Sequence, residues 1–519
     1  MERRAFSKTV WAVSLPIVFA EISETIVHVT DTAFLARVGV AELGAIALAD
    51  TIYELATVPM VALVDGIQIL TSRRAGQRRD EALGETFNLG LALLTVVSLV
   101  LTLGLRVAAP RLTGVVVASK DVRIAVEAFL PVVAIGTVFH AANLAYSALL
   151  VALSRTRVLI PATILLATTN LFLGYCLVFG NLGFPRLGIA GAAWGSVGAE
   201  VVTCAYLTAH VLRHIDVRRY ALLRLPRLDG RLTGSLCSIS FPVGLQALME
   251  GLRWFVFFVL ADRLGEEALA TSNVVYSFYA VLRIPTEGFS ETACSMVSHM
   301  IGSGRARGFG HLLWEVIRPS YLLTLPFAAL ILLFPRPLLS LFVGDPQVIE
   351  ASVRCLRVVA ASMLVVIPGQ IWFVSVSGTG DTRAAFLIEL ALTATILLVA
   401  YVAGFSLGLP PAHPRHRGGA PPIVRAPLPA CARAAPEACG ARLVRPPGAA
   451  HPRADGTAHD AAVGGHRRDV QHPERGGRRG LHAEPAPPGK DRGGPRQGPQ
   501  PSAGRSASSR AGRSRCGSA

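Results

Sequence analysis

The chain has 519 residues, of which 52% are hydrophobic and only 16% are charged, and its mean hydropathy is +0.48. Soluble globular proteins are typically about one quarter charged, so this composition argues against a soluble enzyme or binding module. The formal net charge of +16 would by itself indicate a nucleic-acid partner. However, residues 1–409 carry a net charge of only +4 (31 Lys and Arg against 27 Asp and Glu), whereas residues 410–519 carry +12 (19 against 7).

The first 409 residues contain eleven mostly apolar segments. A helix that crosses a bilayer takes roughly 20 such residues. Two carboxylates, Glu21 and Glu24, interrupt the first segment, so we interpret it as a spanning helix and not as a cleaved signal peptide. Arg and Lys collect in cytoplasmic loops, and their distribution places the N-terminus in the cytoplasm. In chain order the segments lie at 9–33, 44–70, 87–109, 125–153, 158–180, 188–212, 235–261, 268–298, 318–335, 353–376 and 384–409.

An internal repeat runs through both halves of this region at one constant spacing, that between Pro16 and Pro242, which we name the repeat offset. It pairs prolines, glycines and charged residues at the ends of the segments, among them Pro16/Pro242, Glu24/Glu250, Arg37/Arg263, Gly39/Gly265, Pro59/Pro285 and Gly76/Gly302. Since one repeat offset holds six segments, the two copies have the same orientation, as in transporters built from two lobes. The sequence therefore predicts an all-α polytopic membrane protein with two six-helix bundles related by a parallel repeat, the C-terminal bundle lacking its twelfth helix.

The repeat and the composition predict four regions. They are an N-terminal six-helix lobe at 1–213, a cytoplasmic linker at 214–232, a C-terminal five-helix lobe at 233–409 and a basic tail at 410–519. The tail is dominated by Pro, Gly, Ala and Arg and has no aromatic residue, which predicts disorder and offers no platform for base stacking. GC-rich coding DNA read out of frame gives this composition, so we interpret the tail as frameshifted or otherwise non-native.

Charged side chains within the spans are the candidate functional residues, because a bilayer core makes them costly. The first span carries Glu21, Glu24, His28 and Asp31 at steps of three, four and three residues, which places them within roughly 80° on one helical face. Such a face must point to the protein interior or to a water-filled cavity. His28 could shuttle protons or only hydrogen-bond a neighbour, and we favour a functional role for Asp31.

Further polar side chains lie in later spans. Two arginines, Arg253 near Glu250 and Arg283 near Glu287, form either structural ion pairs or part of a polar cavity. The histidines of the tail, like Cys431 and Cys439, match no metal-ligand spacing. Neither a His-Glu-x-x-His motif nor a phosphate-binding loop occurs, so we predict no metal, no cofactor and no enzyme. The predicted cavity residues of these spans are Asp50, Glu54, Gln246, Arg253, Glu287, Glu291 and Gln370, with Asp65 on the same face as Asp50.

Four short motifs occur in order along residues 7–409, and together they resemble the multidrug and toxin extrusion (MATE) family. They are Val29-Thr30-Asp31-Thr32-Ala33-Phe34 after Pro16, Leu187-Gly188-Ile189-Ala190-Gly191-Ala192-Ala193, Gly302-Ser303-Gly304-Arg305 after Pro285, and Gly378-Thr379-Gly380-Asp381-Thr382-Arg383. The resemblance implies a central cavity between two bundles and export of organic compounds driven by inward H⁺ or Na⁺. It also implies that Asp31, Asn170 and Glu250 match the family's coupling residues, to which we add Glu24 from the first-span stripe.

The chain departs from the family pattern at two places. Gly174 occupies a position where the family often has Asp, and the tenth span offers only Gln370 in place of a carboxylate. We expect an inner-membrane antiporter that exports organic, cationic or lipophilic drugs and toxic compounds in exchange for H⁺ or Na⁺. A flippase for a lipid-linked saccharide is the alternative. The expected partners are small organic molecules and the lipid bilayer, with no nucleic acid, and we expect a monomer.

Overall fold

The computed structural model describes residues 2–117, 119–226, 229–305, 308–340 and 344–402. Two short 3₁₀ segments, Thr156–Val158 and Asn181–Gly183, flank the fifth helix. The α-helices of the described residues are α1 (Glu2–Val38), α2 (Val40–Gly76), α3 (Asp80–Val116), α4 (Lys120–Ala152), α5 (Leu159–Phe179), α6 (Ile189–His214), α7 (Gly230–Leu264), α8 (Glu266–Gly302), α9 (Phe309–Leu333), α10 (Pro335–Ser340), α11 (Pro346–Gly378) and α12 (Thr382–Tyr401).

Each of the eleven predicted spans falls mainly on one of the long helices, the last as far as residue 402, so the all-α prediction is confirmed. Nine of the helices in the described ranges are long and apolar enough to cross a membrane, and α6 and α8 fall short of that hydropathy. The span predicted at 318–335 is broken at Phe334, between α9 and α10. Residue 335 is a proline, which disfavours helical backbone at the residue before it. The predicted tail and the predicted lack of a twelfth helix concern residues after 402, outside the described ranges.

The helices pack as two lobes with matching neighbours. In the first lobe α2 packs on α3 and α4, and α1 packs on α5; in the second, α8 packs on α9 and α11, and α7 packs on α12. The loops repeat as well, because positive φ angles occur at Arg78 (56°) and Gly304 (71°) and again at Ser154 (54°) and Gly380 (85°). Both pairs are separated by the repeat offset, so the two copies of the repeat share their backbone path at these turns.

The lobes meet where α2 and α8 end. Backbones approach so closely there that a Cβ on Gly76 would collide with the carbonyl of His299, and a Cβ on Gly302 would collide with the carbonyl of Arg73. The Ser72 and Ser295 hydroxyls are 2.9 Å apart across the same junction, which we call the lobe junction. From the middle of α2 and α8 and in the second half of α1, side chains such as Val29 in α1 (60% exposed), Leu55 in α2 (64%) and Val281 in α8 (56%) are exposed.

The segment between the lobes packs against α3. Asn88 donates to the carbonyl of Ala221 at 2.8 Å and accepts from the backbone N–H of Leu223 at 2.7 Å. Nearby, the Arg219 guanidinium donates to the Asp80 carboxylate at 2.7 Å, and this hydrogen bond raises the pKa of Arg219. The part of the predicted linker at 215–226 is therefore fastened to the first lobe before α7 begins.

Candidate functional site

The first-span stripe lies along one side of α1, as the spacing predicts. Asp31 is buried, at 8% exposure, whereas Glu24 and His28 are exposed and line two neighbouring cavities of the first lobe. Glu21, one turn earlier, lines the same cavity as Glu24. The stripe thus runs from exposed positions at Glu24 and His28 to a buried position at Asp31.

Asp31 is held by side chains from two other helices. The amide nitrogen of Asn170 in α5 donates to Oδ2 of Asp31 at 3.4 Å and to the Ser196 hydroxyl at 3.0 Å. Ser196 in α6 lies 3.5 Å from the same Asp31 oxygen. The other oxygens, Oδ1 of Asp31 and Oδ1 of Asn170, are buried without a hydrogen-bond partner in the described structure. A carboxylate, an amide oxygen and a hydroxyl are oxygen donors suited to a proton or to a hard cation.

Glycines bring these three helices together. Gly191 in α6 lies against the backbone of α5 near Leu177, and Gly195 lies against the backbone of Gly174. Gly174 itself faces Phe34 and the Asp31 carboxylate, so the departure from the family pattern leaves this side of Asp31 without a second carboxylate. The close α5–α6 packing places Asn170 and Ser196 beside Asp31, although they lie far from it in the sequence.

The cavity in front of Asp31 has a volume of about 180 Å³. His28 and Asp50 face each other across it, with 3.4 Å between Nδ1 and Oδ2, and Tyr53 contributes a phenol. Glu54 lies exposed, one turn beyond Asp50. We name this space the Asp31 cavity. Its polar lining is His28, Asp31, Asp50, Tyr53, His140, Ser196 and Glu200.

Besides Tyr53 and Ser196, the polar residues His140, Asn143 and Glu200 of this lobe were not predicted as site residues. The Nδ1 atom of His140 lies 2.9 Å from Oε1 of Glu200, and the Asn143 amide donates to Oε2 of Glu200 at 2.6 Å. The sequence does contain a pattern that marks them as candidates. Glu200 is the carboxylate inside the sixth span, and His140 and Asn143 are three residues apart on the fourth. Their proximity depends on the packing of α4 on α6, which the sequence does not show.

Three acids of the second lobe, Glu250, Glu287 and Glu389, are paired with arginine. Arg283 donates to Glu250 at 2.9 Å and lies 2.7 Å from Glu287. Arg253 lies 3.6 Å from Glu250 and donates to Glu389 of α12, a residue that was not predicted from the sequence. The two predicted arginine contacts with Glu250 and Glu287 are therefore present. We name Glu250, Arg253, Arg283, Glu287 and Glu389 the second-lobe ion network.

A further cavity of about 260 Å³ lies between α2 and the second lobe. Glu291 lines both this cavity and the one that contains Glu24. The amide nitrogen of Gln246 donates to the carbonyl of Thr382 at 3.3 Å, so this side chain also ties α7 to the start of α12. Predicted residues that line this space are Gln246, Glu287, Glu291 and Gln370, together with Asp65 and Arg283.

No group of His, Cys, Asp and Glu side chains within the described ranges has the arrangement of a metal site. The candidate site therefore combines the buried Asp31, which has an unpartnered oxygen, with the second-lobe ion network and the polar cavities that Glu24 and Glu291 line.

Comparison with known proteins decides the family. The family model described as MatE matches the chain twice, at residues 16–176 and 242–402. The chain belongs to the MATE family. The starts of the two matches are separated by the repeat offset, which confirms both the resemblance and the internal repeat that the sequence predicts.

Relatives and solved structures agree with this assignment. A probable multidrug resistance protein NorM of Thermotoga maritima is 24% identical over 409 residues, covering 76% of this chain and 86% of the relative. A protein of the same name from Deinococcus radiodurans is 28% identical over 411 residues, with 76% and 85% covered.

Two solved structures have the same fold. A MOP-superfamily transporter from Pyrococcus furiosus superposes with a TM-score of 0.71 at 18% identity, covering 78% of this chain and 90% of that one. An outward-facing multidrug resistance MATE family transporter also gives 0.71, at 17% identity, with 76% and 88% covered. These two similarities show the fold. The family match and the apolar helices show that the chain is a multi-pass membrane transporter.

Proposed function

We propose that the chain is an antiporter that exports organic compounds, including lipophilic cations, across the inner membrane in exchange for H⁺ or Na⁺. The observation that carries the proposal is Asp31, a buried carboxylate with an unpartnered oxygen beside the unpartnered amide oxygen of Asn170. Burial disfavours the bare charge of a carboxylate. An oxygen without a hydrogen-bond partner can therefore bind a proton or a cation without breaking an existing contact. The relatives from Thermotoga maritima and Deinococcus radiodurans, both described as probable multidrug resistance proteins, support the drug-export part of the proposal.

Coupling requires that the ion and the organic substrate favour different states of the protein or compete for one site. The described structure is joined at the lobe junction and uncovered from the middle of α2 and α8 and in the second half of α1, where Asp31 lies. With the N-terminus in the cytoplasm, as we propose from the arginine distribution, the uncovered side faces outward. A cation entering from outside would then reach Asp31 directly.

The two first-lobe cavities, lined by Asp31 and by Glu24, are acidic, which favours cationic substrates over anionic ones. A lipid-linked saccharide carries phosphate, which these acids would repel, so the flippase alternative gains no support from the geometry.

The test is efflux from vesicles that contain the purified full chain. Tetraphenylphosphonium serves as the probe, and a pH gradient or a Na⁺ gradient is imposed separately. We expect one of the gradients to drive efflux, and Asp31→Asn to reduce efflux to the level of empty vesicles.

Glu266→Gln is the matched control, because Glu266 is an exposed acid in the first turn of α8. It should retain wild-type efflux. Full activity of Asp31→Asn, or the lack of a response of the wild type to both gradients, would overturn the antiporter proposal.

A further inference from the structure

His140, Asn143 and Glu200 form a polar cluster between two cavities of the first lobe. His140 and Glu200 line the Asp31 cavity on one side and the cavity of Glu21 and Glu24 on the other. The second cavity has a volume of about 140 Å³, and we name it the Glu24 cavity. The side chains of His140 and Glu200 are only 28% and 18% exposed, so the pair is a partition with one face toward each cavity.

The cluster is built to hold a proton. The Nδ1 atom of His140 faces one oxygen of Glu200 at 2.9 Å, and Asn143 donates to the other oxygen at 2.6 Å and to the Glu200 carbonyl at 3.0 Å. With a proton on both ring nitrogens, His140 donates to Glu200 as an imidazolium. When that proton leaves, the pair keeps the net negative charge of the carboxylate.

The same geometry disfavours Na⁺. Hard cations take oxygen ligands, whereas both Glu200 oxygens here face nitrogen atoms, of which the Asn143 amide is a donor in every protonation state. In contrast, Asp31 and Asn170 offer free oxygens. The two first-lobe sites therefore differ in which ions they accept.

Acidic groups surround the imidazole. None of the arginines or lysines in the described chain forms an ion pair with the facing acids of α1 or with Glu200. Fields from these acids stabilise the imidazolium against the cost of its partial burial. The titratable groups that share a cavity with His140 are Glu21, Glu24, His28 and Asp31 of α1, Asp50 and Tyr53 of α2, Glu200 of α6 and Glu291 of α8.

We infer that His140 and Glu200, positioned by Asn143, are a second proton-binding site that passes protons between the Asp31 cavity and the Glu24 cavity. The part of this inference that concerns transport rests on the proposed function. A proton leaves the acid of one cavity, is taken up on an imidazole nitrogen and is released to a carboxylate of the other cavity, so that no net bond change remains on His140. Transport then moves one proton through this site in addition to the ion bound at Asp31.

The first arm of the test needs no substrate. Histidine-labelled full chain is titrated from about pH 5 to about pH 8, and the ring nitrogen signals of His140 are followed by magnetic resonance, assigned by their loss in His140→Gln. We expect His140 to change its protonation state within this range. In Glu200→Gln the pH at the midpoint of the His140 titration should fall, so that an about tenfold higher proton concentration is needed to charge the ring.

Thr203→Val is the matched control for this arm. Thr203 also lies on α6 and lines the Glu24 cavity, but its hydroxyl has no hydrogen-bond partner in the described structure. The variant should leave the midpoint unchanged. A His140 that stays in one protonation state throughout, or a midpoint that Glu200→Gln does not move, would refute the second site whatever the chain transports.

The second arm measures protons per tetraphenylphosphonium ion, from the pH gradient that just balances a given substrate gradient. We expect His140→Gln, which keeps a donor toward Glu200 but cannot be charged, to lower this ratio by one proton while efflux continues. An unchanged ratio would refute the relay. A wild type that transports nothing contradicts the proposed function instead, and the first arm still decides whether the proton site exists.

Discussion

The two lobes share one backbone plan but not one chemistry. Positions 24 and 250 are equivalent under the repeat and both carry Glu, yet Glu24 faces a cavity whereas Glu250 lies within reach of two arginines. Position 31, the buried Asp of the first lobe, corresponds to Phe257 in the second. Helix packing is therefore alike in both copies, whereas the buried acid at position 31 has no counterpart in the second copy. Cation coupling by Glu250 stays a prediction, and the geometry gives the first lobe the stronger candidate.

Aromatic side chains take the equivalent positions of the polar lining. His28 and Asp50 correspond to Trp254 and Tyr276, whose ring centroids are 4.5 Å apart in the second lobe. Tyr53 corresponds to Tyr279, over which the Arg283 guanidinium lies at 5.6 Å. Thus one lobe surrounds an acid with titratable groups, and the other fills the same positions with packed rings and a cation–π contact.

The largest effect that tests this comparison is on stability. Arg253→Met leaves the Glu389 carboxylate, whose side chain is 6% exposed, without its charge partner. Removing one partner of a buried ion pair costs about 3 kcal/mol or more. We therefore expect the free energy of unfolding of the detergent-purified protein to fall by that amount. Denaturant unfolding followed by tryptophan fluorescence measures it.

The control reverses the outcome. Arg253→Met with Glu389→Leu removes both charges and should recover most of the lost free energy of unfolding. Asp31→Asn should leave the free energy of unfolding unchanged or raise it, because the buried Asp31 carboxylate has no arginine or lysine partner among the described residues. A loss of stability in Asp31→Asn equal to that of Arg253→Met would remove the distinction between the lobes.

A smaller effect is expected at the lobe junction. Gly76→Val places a side chain against the His299 carbonyl and should shift the protein toward states in which the lobes separate there. In a variant that keeps Cys294 as its sole cysteine, we expect a water-soluble thiol reagent to label this buried residue about tenfold faster, a change of about 1.4 kcal/mol.

Gly310→Val is the control for labelling, because nothing lies near a Cβ at that position, at the start of α9. It should label at the rate of the parent. Equal rates for Gly76→Val and the parent would show that the close approach does not keep the lobes together.

The smallest effect concerns a helix start that only one lobe caps. Asp381 accepts from the backbone N–H of Ala384 at 3.1 Å at the start of α12, whereas Arg155, its equivalent in the first lobe, gives no side-chain cap. Asp381→Ala should lower the free energy of unfolding by about 1 kcal/mol.

Asp345→Ala removes the comparable cap of α11 and should have a similar effect in the same unfolding assay. Glu266→Ala, at an uncapped helix start, should change stability by no more than about 0.5 kcal/mol. A cost for Glu266→Ala as large as that for Asp381→Ala would show that the cap hydrogen bond is not the cause.

Much of the fold could be predicted from the sequence because its signals are local or periodic. Apolar length located the long helices, and the repeat offset indicated the two lobes and their common orientation. The break at Phe334 was missed because a hydropathy window extends across Pro335, although the proline itself marks the end of a helix.

The candidate site could be predicted only where its members share a helix. Steps of three and four residues placed Glu24, His28 and Asp31 on one side of α1. Partners on other helices depend on which faces pack together, so the contacts of Glu200 with His140 and of Glu389 with Arg253 were not visible in the sequence. The linker boundaries, the monomeric state and the coupling roles stay predictions.

The lobe junction has the symmetry of a dimer interface within a single chain. Residue 76 meets residue 299, and residue 302, its equivalent, meets residue 73, which is the equivalent of 299. This is the reciprocal pattern of an isologous contact, in which one surface patch is complementary to itself. The two close approaches are therefore equivalent, and separating the lobes at this joint would release both of them.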